Sequence, residues 1–143
     1  MKYSLHKIVW NDWPALASFM AVPIAWAIHF VLPLIQRGPA PLPLWLPVAA
    51  STALVVVLVW RIHRVNWFFS NGIPVVGVVT DLLIAKDRGR LEFEFEVAGK
   101  RVTSWMPIHK TKSVLLLSPG DRVDLLFDET KPTRAIVKGL YAK

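Results

Sequence analysis

Three glutamates, Glu92, Glu94 and Glu96, recur at two-residue spacing in the stretch Arg90-Leu91-Glu92-Phe93-Glu94-Phe95-Glu96-Val97. On a strand this spacing puts all three carboxylates on one face, as in some metal and acid–base sites. No histidine stands within the strand, however, and a catalytic acid needs a shielded carboxyl with a raised pKa. The plainer reading is a solvated strand face, with Arg101 and Arg90 as its partners. His29 is a second candidate, because it lies in an apolar run where an ionisable side chain is a functional candidate by default. An imidazole there could ligate a haem iron or a chlorophyll magnesium. Among the other histidines, His63 belongs to the opposite end of the apolar region, and the depth matching His29 falls near Ala49 and Ala50. A bis-histidine haem within one chain is therefore excluded, which leaves a single-ligand pigment or a haem shared with another subunit. The third candidate is the basic loop His109-Lys110-Thr111-Lys112-Ser113, whose Lys110 and Lys112 could meet lipid phosphates. The sequence contains no Walker A loop, G-x-G-x-x-G, G-x-S-x-G or H-E-x-x-H, and no cysteine. Disulfides, thiolate catalysis and cysteine-held metals are thus excluded, and a non-enzymatic chain is expected.

The elements that must position these residues are of two kinds. From Trp13 to Trp60 the only formally charged residue is Arg37, and apolar runs lie on both sides of it. Each run reaches the roughly 20 residues that cross a bilayer as a helix, and helices are the form that satisfies backbone groups in lipid. The expected layout is an interfacial lead over 1–12, and a transmembrane hairpin over 13–61 with helices at about 14–35 and 44–61. A juxtamembrane segment over 62–71 and a soluble β domain over 72–143 follow. Pro23 and Pro33 should bend the first helix; Pro39, Pro41 and Pro43 make the connector tight, so that the helices run antiparallel. Ala49, Ala50, Ser51 and Ala53 allow close approach of another helix. Although Ala25-Trp26-Ala27 matches a signal-peptidase site, the apolar run continues well past it, and an uncleaved helix is expected.

Beyond Gly72 and Pro74 the hydrophobic period changes to two. Strands are predicted over Ile73–Ala85 (with a break at Gly77), Leu91–Val97, Arg101–Met106, Arg122–Phe127 and Arg134–Leu140. A two-residue turn at Ala98-Gly99 would set Glu96 opposite Arg101 and Phe95 opposite Val102. The fold class is then membrane α + β, a two-helix hairpin followed by a small antiparallel barrel or sandwich of five or six strands.

The formal charge of +7 divides into +4 over residues 1–64 and +3 over 65–143. This spread does not form the concentrated basic stripe of a nucleic-acid groove, and no nucleic-acid partner is expected. Lys2, Lys7, Arg61 and Arg64 flank the hairpin on the side of the termini, against Arg37 alone in the connector. The positive-inside rule then puts both termini and the β domain in the cytoplasm. Trp10, Trp13, Trp60 and Trp67 form an aromatic belt at that face, with Trp45 at the other. Arg61 and Arg64, directly after the second helix, are read as headgroup contacts, so membrane lipids are expected partners.

Gly77-Val78-Val79, the Glu92-Phe93-Glu94-Phe95 strand with its Gly99 turn, and Pro119-Gly120-Asp121-Arg122-Val123 carry a resemblance, as does Leu126-Phe127-Asp128 followed by Pro132. From Val65 to Tyr141 the chain resembles a bacterial family of small membrane proteins of unknown function with paired transmembrane helices and a compact C-terminal β domain. Phe127 and Glu129 depart from that family's Y-D-P-x-x-P element. The resemblance implies a fold and a bacterial inner-membrane setting, and supplies no catalytic residues. The functional expectation is a non-enzymatic accessory or scaffold subunit of a larger membrane complex, of respiratory or photosynthetic type, packed against other integral membrane subunits. The alternatives are a free membrane-anchored peptide- or lipid-binding module, and a pigment- or haem-carrying subunit through His29.

Overall fold

In the computed structural model, which describes residues 3–39 and 42–142, three helices precede a five-stranded sheet. Helix α1 spans Leu5–Asn11, α2 Trp13–Gln36 and α3 Trp45–Asn71. Lys2, counted among the basic residues near the termini, and Pro41 of the connector lie outside the described residues. The Asp12 side chain caps α2 and Pro14 occupies its first turn, where the missing N–H costs nothing. Pro23 and Pro33 both fall inside α2, which remains one helix. Arg37 ends it in the left-handed conformation (φ 50°). Helix α3 continues unbroken through the juxtamembrane segment to Asn71, where Gly72 closes it with an N–H to the Phe68 carbonyl.

Helices α2 and α3 pack antiparallel, from Asp12 against Arg61 at one end to Trp26 against Ser51 further along. Both are long and apolar enough to cross a membrane, and only 17% and 11% of their most apolar windows are buried. Core helices of a soluble protein would be covered far more fully.

The strands are β1 (Ile73–Ala85), β2 (Arg88–Val97), β3 (Lys100–His109), β4 (Arg122–Asp128) and β5 (Lys131–Val137), with the short helix α4 (Lys112–Leu115) between β3 and β4. All pairings are antiparallel, in the order β3-β2-β1-β4-β5. Ser104 Oγ of β3 donates to the Thr133 carbonyl of β5 at 2.6 Å, bringing the edges together into a nearly closed barrel. The Ala98-Gly99 turn sets Glu96 opposite Arg101 and Phe95 opposite Val102, the register expected from the sequence. Strand β1 serves two neighbours, β4 over Ile73–Val78 and β2 from Gly77 onward, and its irregularity lies between Val79 and Asp81 rather than at Gly77. Gly77 has a different role. A Cβ there would stand 2.5 Å from Leu125 Cδ1 and 2.7 Å from the Glu94 carbonyl oxygen, so only glycine fits where the strands cross.

The last strand departs from expectation. It begins at Lys131 instead of Arg134, and Lys138–Leu140 forms a 3-10 turn. Pro132, outside the strand expected from Arg134, sits near the start of an edge strand, where its missing N–H is tolerated. Leu91, Phe93 and Phe95 point into the barrel as their alternation required. The core also takes in Ile8 from α1 and Val65 and Phe68 from α3. The residues read as an interfacial lead thus supply a fully buried side chain to the barrel.

Candidate functional site: the helix–barrel junction

Asp12 is the only acidic residue in the first 64, and it is completely buried. Its Oδ1 accepts the Ala15 N–H at 3.1 Å, capping α2, and also the Arg61 Nε–H at 3.1 Å; Arg61 Nη2 closes the second half of the fork on Oδ2. The pair is bidentate, the strongest geometry of its kind. The Tyr141 hydroxyl donates to Asp12 Oδ2 at 3.4 Å. Tyr141 is itself buried, and burial first, then the Asp12 charge, pushes its phenol well above the ordinary value. It is therefore a neutral donor beside an ion pair.

Further bonds extend this junction to the chain ends and to β3. Ser4 N–H donates to the Tyr141 carbonyl at 2.9 Å, Lys7 Nζ to the Ala142 carbonyl at 2.6 Å, and Asn11 Nδ2 to the Leu140 carbonyl. Thr111 Oγ1 donates to Asn11 Oδ1 at 2.7 Å. His109 Nδ1 lies 3.0 Å from the Trp10 carbonyl, and its ring stacks on Trp13 with centroids 6.0 Å apart. The hairpin, α1, the barrel and the C-terminal turn thus share one core.

Beside the junction opens a cleft of about 360 Å³, lined by Trp60, His63, Arg64, Trp67 and Phe68 of α3 together with Asp128 and Arg134. Arg61 and Arg64 both lie over the Trp60 ring, their guanidinium carbons 5.8 and 5.7 Å from its centroid. A second cavity of about 280 Å³ begins on Arg64 and reaches the Asp12–Arg61 pair and Tyr141, walled by Met106 and Ile136. No protein-family model, curated protein or solved structure matches the chain. Motifs that carried the family resemblance fall at turns and strand crossings of the barrel: Gly77 at the β1 crossing, Pro119-Gly120 before β4, and Pro132 in β5.

The residues singled out from the sequence are dispersed. Arg61, read as a headgroup contact, is instead turned inward onto Asp12 and 9% exposed; a lone buried carboxylate outcompetes solvent for its guanidinium. Arg64 is half-buried in the cleft wall. Trp10, Trp60 and Trp67 are exposed around the barrel end of the hairpin, and Trp45 is exposed at the other end. Lys110, whose N–H donates to the Asp87 carbonyl, and Lys112, the first residue of α4, are both exposed. Glu92 pairs with Arg90 at 2.9 Å and Glu94 with Arg101 at 3.7 Å, on the outer face. Among the described residues no three His, Cys, Asp or Glu side chains come together as a metal cluster. His29 sits edge-on to Phe30 and Trp26, and its Nδ1 is buried without a hydrogen-bond partner among the described residues.

Asp12 and Tyr141 escaped the sequence reading, yet one signal was present. An antiparallel hairpin brings its two outer ends together, so the sole acid before the first run belongs beside the first cation after the second.

Proposed function

We infer that this chain is a non-enzymatic structural component of a larger membrane assembly, in which the hairpin crosses the bilayer and fixes the barrel at a set angle to one face. The observation that carries this reading is the shared core. Ile8, Val65 and Phe68 sit inside the barrel's own hydrophobic cluster, and the Asp12–Arg61 fork locks the helix ends beneath it. A freely tethered binding module would instead use a loose linker. Two further features support assembly. Outer surfaces of the hairpin are apolar and open, with Phe19, Ile24 and Val31 on α2 and Val55, Val56 and Val59 on α3 all exposed. A hydrogen-bonding group on a neighbouring helix would also satisfy the His29 Nδ1, since an unpaired buried polar atom is costly. With Arg37 alone at the connector end, the barrel belongs on the cytoplasmic side. The outer face of β2, with Glu92, Glu94 and Glu96, would repel a nucleic-acid backbone.

Purification of the tagged full chain from its native membranes in a mild detergent tests the proposal. Defined integral membrane subunits should accompany it in fixed ratio; a chain that runs alone or as a simple homo-oligomer would end the idea. The orphaned His29 nitrogen favours one other reading, a haem or chlorophyll held by His29 and shared with another subunit. His29 would supply a single nitrogen ligand, and an absorption spectrum unchanged in His29→Ala removes it.

A further inference from the structure

A cleft opens between α3 and the β4–β5 end of the barrel. We propose that it holds the phosphate of an anionic lipid headgroup, with Arg64 and Arg134 as the phosphate ligands and Trp60 and Trp67 as its walls.

Position, charge and shape each support this. An α-helix rises about 1.5 Å per residue, so α3 climbs roughly 10 Å from Trp60, the last residue of its apolar run, to Trp67. The headgroup layer on one side of a bilayer is about 5–8 Å deep. The cleft therefore starts at the hydrocarbon boundary and spans the layer in which lipid phosphates lie. Its floor is tryptophan, the residue that favours this depth.

The cations come from separate elements, Arg64 from α3 and Arg134 from β5. Each is close enough for its charge to act on the other, and Arg61 adds to the same field. Arg61 is answered by Asp12, whereas among the described residues neither Arg64 nor Arg134 is in an ion pair. Asp128 is the one acid in the lining; its Oδ1 accepts both the N–H and the hydroxyl of Thr130, at 2.9 and 2.6 Å, and its charge offsets one of the two guanidinium charges. A positive excess is left facing an opening of about 360 Å³. Guanidinium groups match phosphate oxygens in pairs, and the Trp60 ring beneath Arg64 holds one of them in place.

The inference rests on the hairpin lying in a bilayer, which resistance of the full chain to alkaline carbonate extraction tests separately. The cleft itself is tested by native mass spectrometry of the full chain in detergent, offered dioleoylphosphatidylglycerol or dioleoylphosphatidylcholine. The wild-type chain should retain the anionic lipid at least tenfold better. R64Q/R134Q should bring the two lipids within about twofold, while K100Q/R101Q at the exposed start of β3, outside the cleft lining, should keep the preference. Should R64Q/R134Q fail to fold, R64K/R134K decides, because it keeps the charge but loses the paired geometry, and should cut the preference several-fold. Equal retention of both lipids by the wild-type chain would overturn the proposal, as would a preference that survives the arginine variants. Displacement by millimolar inorganic phosphate as readily as by the lipid would assign the cleft to a soluble phosphate instead.

Discussion

The Asp12–Arg61 pair allows its charge to be removed without removing its cap. Asn caps a helix as well as Asp does, so Asp12→Asn keeps an oxygen for the Ala15 N–H and deletes only the negative charge. Arg61 is then a buried cation without a counter-ion. Breaking such a pair from one side costs about 3–5 kcal/mol. Because Arg61 is still 9% exposed and rests on Trp60, it retains some outlet to solvent and the ring, and we expect about 3 kcal/mol. Arg61→Leu should cost a similar amount by stranding Asp12. The double variant Asp12→Asn/Arg61→Leu buries no net charge and should lie within about 1.5 kcal/mol of wild type, since apolar replacement of a buried pair is often neutral. At roughly 2–4 °C per kcal/mol for a chain of this size, each single variant should melt about 6–12 °C below wild type, followed by tryptophan fluorescence in detergent. The double variant should recover most of that loss, and added salt should not close the gap, because a buried pair is poorly screened. Single losses below about 1 kcal/mol, or strictly additive ones, would refute the view that this fork locks the two helix ends together as one buried unit.

The remaining predictions concern the same core and one turn. Tyr141 keeps its proton in the fold above the pH at which the unfolded chain releases it. Its contribution is fully present below about pH 10 and is lost at roughly 1.4 kcal/mol per pH unit above it; Tyr141→Phe should flatten that alkaline decline in a melting series from pH 8 to 11. Ala98 holds φ 50° beside Gly99 at φ 75°, a turn that prefers Asn-Gly, so Ala98→Asn should stabilise the chain by about 0.5–1 kcal/mol, read as a rise in melting temperature. Residues 72–143 alone lack Ile8, Val65 and Phe68, a loss of about 5–9 kcal/mol of burial against a typical total of about 5–15. That fragment should show no cooperative melt by circular dichroism.

What was legible in the sequence divides along the range of the interactions. The bounds of β1 and the register of β2 on β3 were readable, because a period of two and an Ala-Gly turn are local. The hairpin was readable because lipid-length apolar runs leave little else to form. Alternation failed where an element is covered on both sides. Leu125, Leu126 and Phe127 of β4 are all buried, as are Ala135, Ile136 and Val137 of β5, since helices lie against the outside of strands that also face the barrel interior. The extension of α3 to Asn71 is a related case, as its last ten residues are amphipathic and find their apolar partner only in a barrel that follows them in the chain. The least local element was the junction. Asp12 meets Tyr141 across 129 positions, and only its being the sole acid before the first apolar run sets Asp12 apart from an ordinary cap.

That distance also bears on function. A chain that only needed anchoring could end its hairpin in a flexible linker. Here Ser4, Lys7 and Asn11 bond to Tyr141, Ala142 and Leu140 in turn, and α1 and the C-terminal turn close over one buried charge pair. The fork joins α2 to α3, and the Tyr141 hydroxyl together with the Ser4, Lys7 and Asn11 bonds ties that joint to the C-terminal turn, so tilting the barrel relative to the hairpin would break these bonds and uncover Ile8, Val65 and Phe68. The Arg64–Arg134 cleft lies on the same joint, because Arg64 belongs to α3 and Arg134 to β5. A lipid phosphate bound by both would add a third tie between membrane and barrel, one that depends on the lipid supplied. Rigid orientation and lipid recognition are then two consequences of one arrangement, the continuation of α3 from the apolar hairpin into the wall of the barrel.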